Sequence, residues 1–207
     1  MTPSSPDSCP GQSLDERVAA ARACRLCPLP HPHRPILRVS PTATLLIVGQ
    51  APGTRVQETG IPWNDRSGDR LRDWLGLDRP RFYDPERIAI LPIGLCFPGQ
   101  DAKGADLPPR PECAPLWHPP IRAELKRVRL TLLVGLYAQA HYLGARRKPS
   151  LTETVRAFAE YGPDFFPLPH PSWRNTGWLA RHPWFEALLI PELRRRIAQT
   201  LGDRVPT

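Results

Sequence analysis

Long apolar runs are missing from this chain. No stretch approaches the roughly 18 consecutive apolar residues that a membrane-spanning helix needs. The longest runs, Leu45–Val48 and Leu130–Val134, have the length of buried strands. A basic start followed by an apolar block is also absent. Residues 1–15 are polar and proline-rich, so no secretory signal is read there and a cytoplasmic location without membrane attachment is expected. Cysteine is sparse and odd in number. Five thiols without a secretion signal argue against a disulfide framework and for free thiols or metal ligands in a reducing compartment. Lysine is nearly missing, with only Lys103, Lys126 and Lys148.

What the chain has instead is arginine and proline. Lys+Arg is 28 against 20 Asp+Glu, a net charge of +8. A basic surface suits an anionic partner, nucleic acid first and an acidic membrane surface second. Arginine forks also bind phosphate bidentately. An arginine-rich composition can equally follow from genomic base content, so charge alone does not choose. Three clusters stand out: Arg122, Lys126, Arg127 and Arg129; Arg146, Arg147 and Lys148; and Arg194, Arg195 and Arg196. Each reads by default as a solvated helix face, and the second, which follows the third strand, is the one expected near a reading edge. The 28 prolines forbid long uninterrupted helices and predict rigid loops.

The pattern predicts a disordered leader over residues 1–12 and one domain over residues 13–207. Ser13, with Glu16 three residues on, opens a helix as a capping box. Strands are expected at residues 44–48, 88–93, 130–135 and 165–168, and helices at 67–75, 121–126, 138–143, 151–161 and 184–202. Thr152 would cap the fourth of these and Pro191 kink the last. Residues 28–35 and 97–115 are expected loops. Short, fully apolar strands separated by helices imply a parallel four-stranded sheet covered on both faces, an α/β fold in three layers. Ligands sit at the carboxyl ends of such strands. Here those ends carry Gly49-Gln50-Ala51-Pro52-Gly53, the segment from Gly94, Gly135, and His170-Pro171-Ser172-Trp173-Arg174-Asn175.

These segments hold the candidate chemistry. A neutral His170 at a strand end could donate to a developing oxyanion. Ser172, Arg174 and Asn175 offer hydroxyl, guanidinium and amide donors to phosphates. The plain alternative is a surface turn with a bystander histidine. Gly49 and Gly53 permit a tight turn and close backbone approach. Trp63, after Pro62, could stack on a base or simply fill the core. Cys24, Cys27, Cys96 and Cys113 supply the four thiolates of a [4Fe–4S] cluster, and could equally bind zinc. Cys24 and Cys27 with His31 and His33, or buried free thiols, remain alternatives. Cys9 fits none of these schemes.

The order of the motifs carries a resemblance. A strand with GQAPG, then Gly60-Ile61-Pro62-Trp63, then a helix from SGDRLRDWL, then a late strand with HPS resembles the uracil-DNA glycosylase superfamily over residues 23–193. Cys24-Arg25-Leu26-Cys27 ahead of the first strand, with Cys96 and Cys113 separated by sixteen residues, looks like its iron–sulfur family four. HPSWRN is more similar to the HPSPRN turn of the single-strand-selective monofunctional branch. The resemblance implies a three-layer α/β/α fold, a monomer, and hydrolysis of the N-glycosidic bond of a damaged base flipped out of DNA. It implies His170 against the leaving base, Trp63 against its face, Gly49, Gln50, Ala51 and Gly94 lining the pocket, Gln50 holding the water, and Ser172, Arg174 and Asn175 on the DNA backbone.

Two positions depart from the family. Family four has an acidic residue where Gln50 stands, and the major cellular branch has Asp where Ala51 stands. The asparagine that reads uracil in family four is replaced by Pro92, which brings hypoxanthine and xanthine into view beside uracil. The leading expectation is a monofunctional glycosylase acting on deaminated bases in DNA. A DNA-binding, damage-sensing module that has lost its water-orienting carboxylate is the second. An N-glycosidase acting on free nucleosides or nucleotides is the third, and a thiol-redox protein the last.

Overall fold

The computed structural model describes residues 12–203, and its elements follow in the order α1 (Leu14–Ala23), β1 (Leu45–Val48), α2 (Thr54–Thr59), α3 (Arg66–Leu75), α4 (Arg79–Phe82), β2 (Ile88–Ile90), α5 (Cys113–Glu124), β3 (Leu130–Val134), α6 (Leu136–Leu143), α7 (Leu151–Arg156), β4 (Phe165–Leu168), α8 (Thr176–Arg181) and α9 (Ile190–Leu201). All but the last residue of the expected leader, and Cys9 with it, lie outside the described residues. No described helix is long and apolar enough to cross a membrane.

The strands form one sheet in the order β2-β1-β3-β4, and every pairing is parallel. Leu45 faces Ile88 on one side and Leu130 on the other, and Thr131 faces Phe165. The unbroken Leu-Leu-Ile-Val of β1 has a physical cause. Side chains alternate across a strand, so a strand covered on both faces needs an apolar residue at every position. Leu45 and Ile47 join a core with Leu71, Trp74, Phe82, Phe185 and Leu193 from α3, α4 and the chain around α9. Leu46 and Val48 join a second core with Leu14 and Ala21 of α1, Ile121 of α5 and Ala138 of α6. Two cores on opposite faces make the three-layer α/β/α architecture. Fully burying a side chain such as Phe82 or Phe166 contributes about 1.5–3 kcal/mol.

Some boundaries differ from the pattern. β2 ends at Ile90 rather than 93, although Leu91 and Ile93 N–H still donate to the Ile47 and Gly49 carbonyls of β1 and the turn after it (3.0 Å each). Pro167 is tolerated in β4, which is an edge strand. α5 begins at Cys113, eight residues before the expected start, although Pro119 and Pro120 lie inside it. The helix persists because Cys113, Ala114, His118 and Ile121 bury one face of it. α7 is capped by Ser150, in a capping box with Glu153, rather than by Thr152, and stops at Arg156 before a 3₁₀ turn at Phe158–Tyr161. Pro191 lies within a helical run that is unbroken from 184 to 201. It sits in the first turn of α9, behind a π-helical turn at Phe185–Leu189.

Candidate functional site

The carboxyl ends of β1, β2 and β4 open onto a cleft of about 610 Å³. Gly49, Gln50, Ala51, Trp63, His170, Ser172, Arg174 and Asn175, all singled out from the sequence, line it together. The turn after β1 is pinned by the segment leaving β2. Ile93 N–H donates to the Gly49 carbonyl (3.0 Å) and Gly94 N–H to that of Gln50 (2.8 Å). Across a trans peptide the following N–H points the opposite way, so the amides of Gln50 and Ala51 face away from that segment. Gly94 itself does not line the cleft. It packs between Pro109 and Ala51 and borders a different cavity.

Trp63 is held under constraint. Its φ of +57° is in the left-handed region, uncommon for a bulky residue. Buried Arg72 donates to the Trp63 carbonyl (3.2 Å), and Tyr83 donates its hydroxyl proton to the Pro62 carbonyl (2.9 Å). Two glycines make room. A Cβ on Gly49 would stand 2.6 Å from the Trp63 ring, and one on Gly68 only 1.7 Å from the Trp63 carbonyl oxygen. The indole lies 5.6 Å from the His170 ring, tilted by 34°. His170 rests against Gly135 at the end of β3. Burial pushes its imidazole down to about 4, opposed by the negative charge of Asp106. The ring is therefore neutral at ordinary pH and can donate a proton in a hydrogen bond without carrying charge.

The loop after β4 is built by its own polar groups. Asn175 Nδ2 donates to the His170 carbonyl (2.7 Å), the Ser172 hydroxyl accepts from Arg174 N–H (3.2 Å), and Arg70 of α3 donates to the Ser172 carbonyl (3.0 Å). Ser172 and Asn175 thus shape the turn that holds His170. Arg174 stacks over exposed Trp173 (5.5 Å) at the lip. Arg55 and Arg66 also line the cleft, and none of these three arginines pairs with a carboxylate among the described residues.

Sequence reasoning passed over Arg55, Arg66, Gln100, Asp106 and Trp173 as lining residues. Trp173 carried a signal, an aromatic inside the histidine motif. Asp106 carried none, lying within a proline-rich loop. Asp65 caps α3 and lines the cleft, whereas Glu58 sits on α2 outside the lining. The three basic clusters lie elsewhere. α6 runs back from the carboxyl end of β3, so Arg146 ends beside Tyr161, ahead of β4. Arg194 caps the carboxyl end of α3 through the Asp73 and Trp74 carbonyls, and Arg195 and Arg196 pair with Glu192. Arg122 donates to the carbonyl of Leu125.

Cys24, Cys27, Cys96 and Cys113 line one small cavity, none of them in a disulfide. Burial raises the thiol of Cys96 to about 11 and that of Cys113 to about 12, and Leu95 N–H donates to the Cys113 sulfur (3.3 Å). Among the described residues no three His, Cys, Asp or Glu gather around one point as a single metal ion requires. Four thiols on one cavity are a donor set that either a [4Fe–4S] cluster or zinc could use. The mixed alternative is not assembled, since His33 donates Nε2–H to the Cys27 carbonyl (2.7 Å) and His31 stacks on Phe97. A sequence model of the uracil DNA glycosylase superfamily matches residues 37–194, which take in β1 to β4 and both flanks of the cleft.

Proposed function

Because the chain belongs to the uracil DNA glycosylase superfamily, we propose that it is a monofunctional glycosylase that hydrolyses the N-glycosidic bond of uracil or another deaminated base in DNA. The observation that carries this reading is the neutral His170, set against the Trp63 face at the carboxyl ends of the strands. A flipped base lying on Trp63 would leave as an anion, and a neutral imidazole donor stabilises that charge as it develops. Main-chain amides at Gln50 and Ala51 would border the base. Arg55, Arg66 and Arg174 would hold the flanking phosphates, with Ser172 and Asn175 keeping the turn that presents Arg174 and His170. Cys24, Cys27, Cys96 and Cys113 would hold a [4Fe–4S] cluster in a structural role, tying the loop ahead of β1 to the loop after β2.

The test is strand scission by alkali after incubation with oligonucleotides bearing one uracil, hypoxanthine or xanthine, single- and double-stranded. Alkali-dependent cleavage that drops by about 10²–10³ in His170→Ala is expected, the usual effect of removing one such donor. Cleavage undiminished in that variant sinks the assigned role. Binding of DNA by intact, metal-loaded protein with no cleavage of any substrate favours the second reading, a damage-sensing module, which Gln50 and Ala51 in place of carboxylates support.

A further inference from the structure

The turn after β1 offers no group that can accept a proton, since Gln50 is an amide and Ala51 a methyl. Two carboxylates line the same cleft, Asp65 and Asp106. Asp65 is engaged, because its Oδ1 caps α3 by accepting from Gly68 N–H at 2.8 Å. Asp106 comes from the long loop between Cys96 and Cys113, and a compact hairpin presents it. Leu107 N–H donates to the Gly99 carbonyl (2.9 Å), Gln100 and Asp106 pair as an antiparallel bridge, and Asp101 closes the tip by accepting from the N–H groups of Lys103 and Ala105. Gln100 Nε2 donates to Asp106 Oδ1 at 3.1 Å. That bond fixes the carboxylate and leaves Oδ2 over the glycine turn, where a Cβ on Gly53 would come within 3.2 Å of it.

We propose that Asp106 is the carboxylate that orients the attacking water and accepts its proton, an assignment that rests on the glycosylase reading above. In the step, the C1′–N bond breaks with its electron pair departing on the base, and the water oxygen forms the new bond to C1′. The proton released by the water passes to Asp106 Oδ2 and from there to solvent. His170 donates a hydrogen bond to the departing base throughout. The acid is thus supplied by a hairpin distant in sequence, and a Cβ at Gly53 would crowd Oδ2. The charge of Asp106 acting on His170 accords with the two sharing one cleft.

Single-turnover cleavage by full-length, metal-loaded protein tests this, with DNA affinity measured in parallel. Asp106→Asn keeps the bond to Gln100 and should lose about 10²-fold or more in rate at unchanged DNA affinity, the scale of general-base catalysis. Asp106→Ala should regain part of its rate in added formate, a small carboxylate that fits the vacated space. Rates within a few fold of the parent overturn the assignment while leaving the glycosylase reading intact. So does a loss carried by Asp65→Asn instead, or a loss in Asp106→Asn that matches a fall in DNA affinity. Parent protein that cleaves no substrate removes the glycosylase reading and this assignment with it.

Discussion

The cleft at the strand ends and the cysteine cavity beside it are built from the same stretch of chain to opposite designs. The cleft is wide and lined by polar groups, several of them held in place by hydrogen bonds within their own loop or from α3. The cavity is small, closed in by Ala21, Leu95 and Trp117, and its four thiols are held by no covalent bond to one another. The two meet along the chain leaving β2. Pro92 lines the cleft, Gly94, Leu95 and Cys96 line the cavity, and the loop then returns through Gln100, Gly104 and Asp106 to the cleft before ending at Cys113. Both ends of the loop that carries Asp106 are therefore anchored among the cysteines. On the proposed reading, the loop that brings Asp106 to the cleft would take its rigidity partly from the cysteine site at its two ends.

That comparison breaks most decisively at Cys113. If the cavity holds a cluster, protein purified without oxygen should contain about four iron atoms per chain with sulfide, and Cys113→Ala should lose both. A cross-link worth a few kcal/mol moves the midpoint of a chain this size by about 2–4 °C per kcal/mol. The variant should accordingly melt roughly 10 °C lower, and its cleavage rate should fall with the loop's order. Zinc in place of iron would keep the anchor and change its chemistry. Parent protein free of metal, with Cys113→Ala as stable and active as the parent, would dissolve the link between the two regions.

A smaller effect is expected at Gly68. A Cβ there meets the backbone carbonyl of Trp63 at 1.7 Å, which no side-chain adjustment relieves. Gly68→Ala should shift Trp63 off His170, costing about 1–3 kcal/mol of stability by overpacking and roughly tenfold in rate from the displaced wall. Gly202, at φ +70° where α9 ends, has open space around it. Gly202→Ala should cost up to about 1 kcal/mol and leave cleavage unaffected. Equal rate losses in the two variants would show that Trp63 is not specially placed.

How much of this was legible follows from where each signal lies. The apolar runs of β1, β3 and β4 announced a sheet covered on both faces, and the glycine turn and histidine motif followed strands on which the structure places one cleft. Those motifs are local, with their meaning in contiguous residues. Gly94 read as a pocket residue because it follows a strand, but the bend over 93–96 carries it to the cysteine side. The α5 boundary was hidden by prolines that a buried face overrides. Asp106 was invisible because the hairpin that carries it sets its carboxylate beside Gly53, more than fifty residues earlier. The basic clusters misled for a related reason, since net charge gives no location and helix direction carries Arg146 away from the cleft.

The finest distinction concerns protons. An unperturbed histidine would charge on descending through pH 6.5, and a charged His170 would no longer be the neutral donor assigned here. Burial between Trp63 and Gly135 holds it at about 4, so the neutral ring persists through the whole range in which histidine ordinarily titrates. The rate should therefore be nearly flat from pH 8 to about 5 and decline only below that. A decline centred near 6.5 in the parent would mean that the ring is wetter than its place in the cleft. The cleft would then resemble an open surface turn, and its contrast with the closed cysteine cavity would be one of exposure alone.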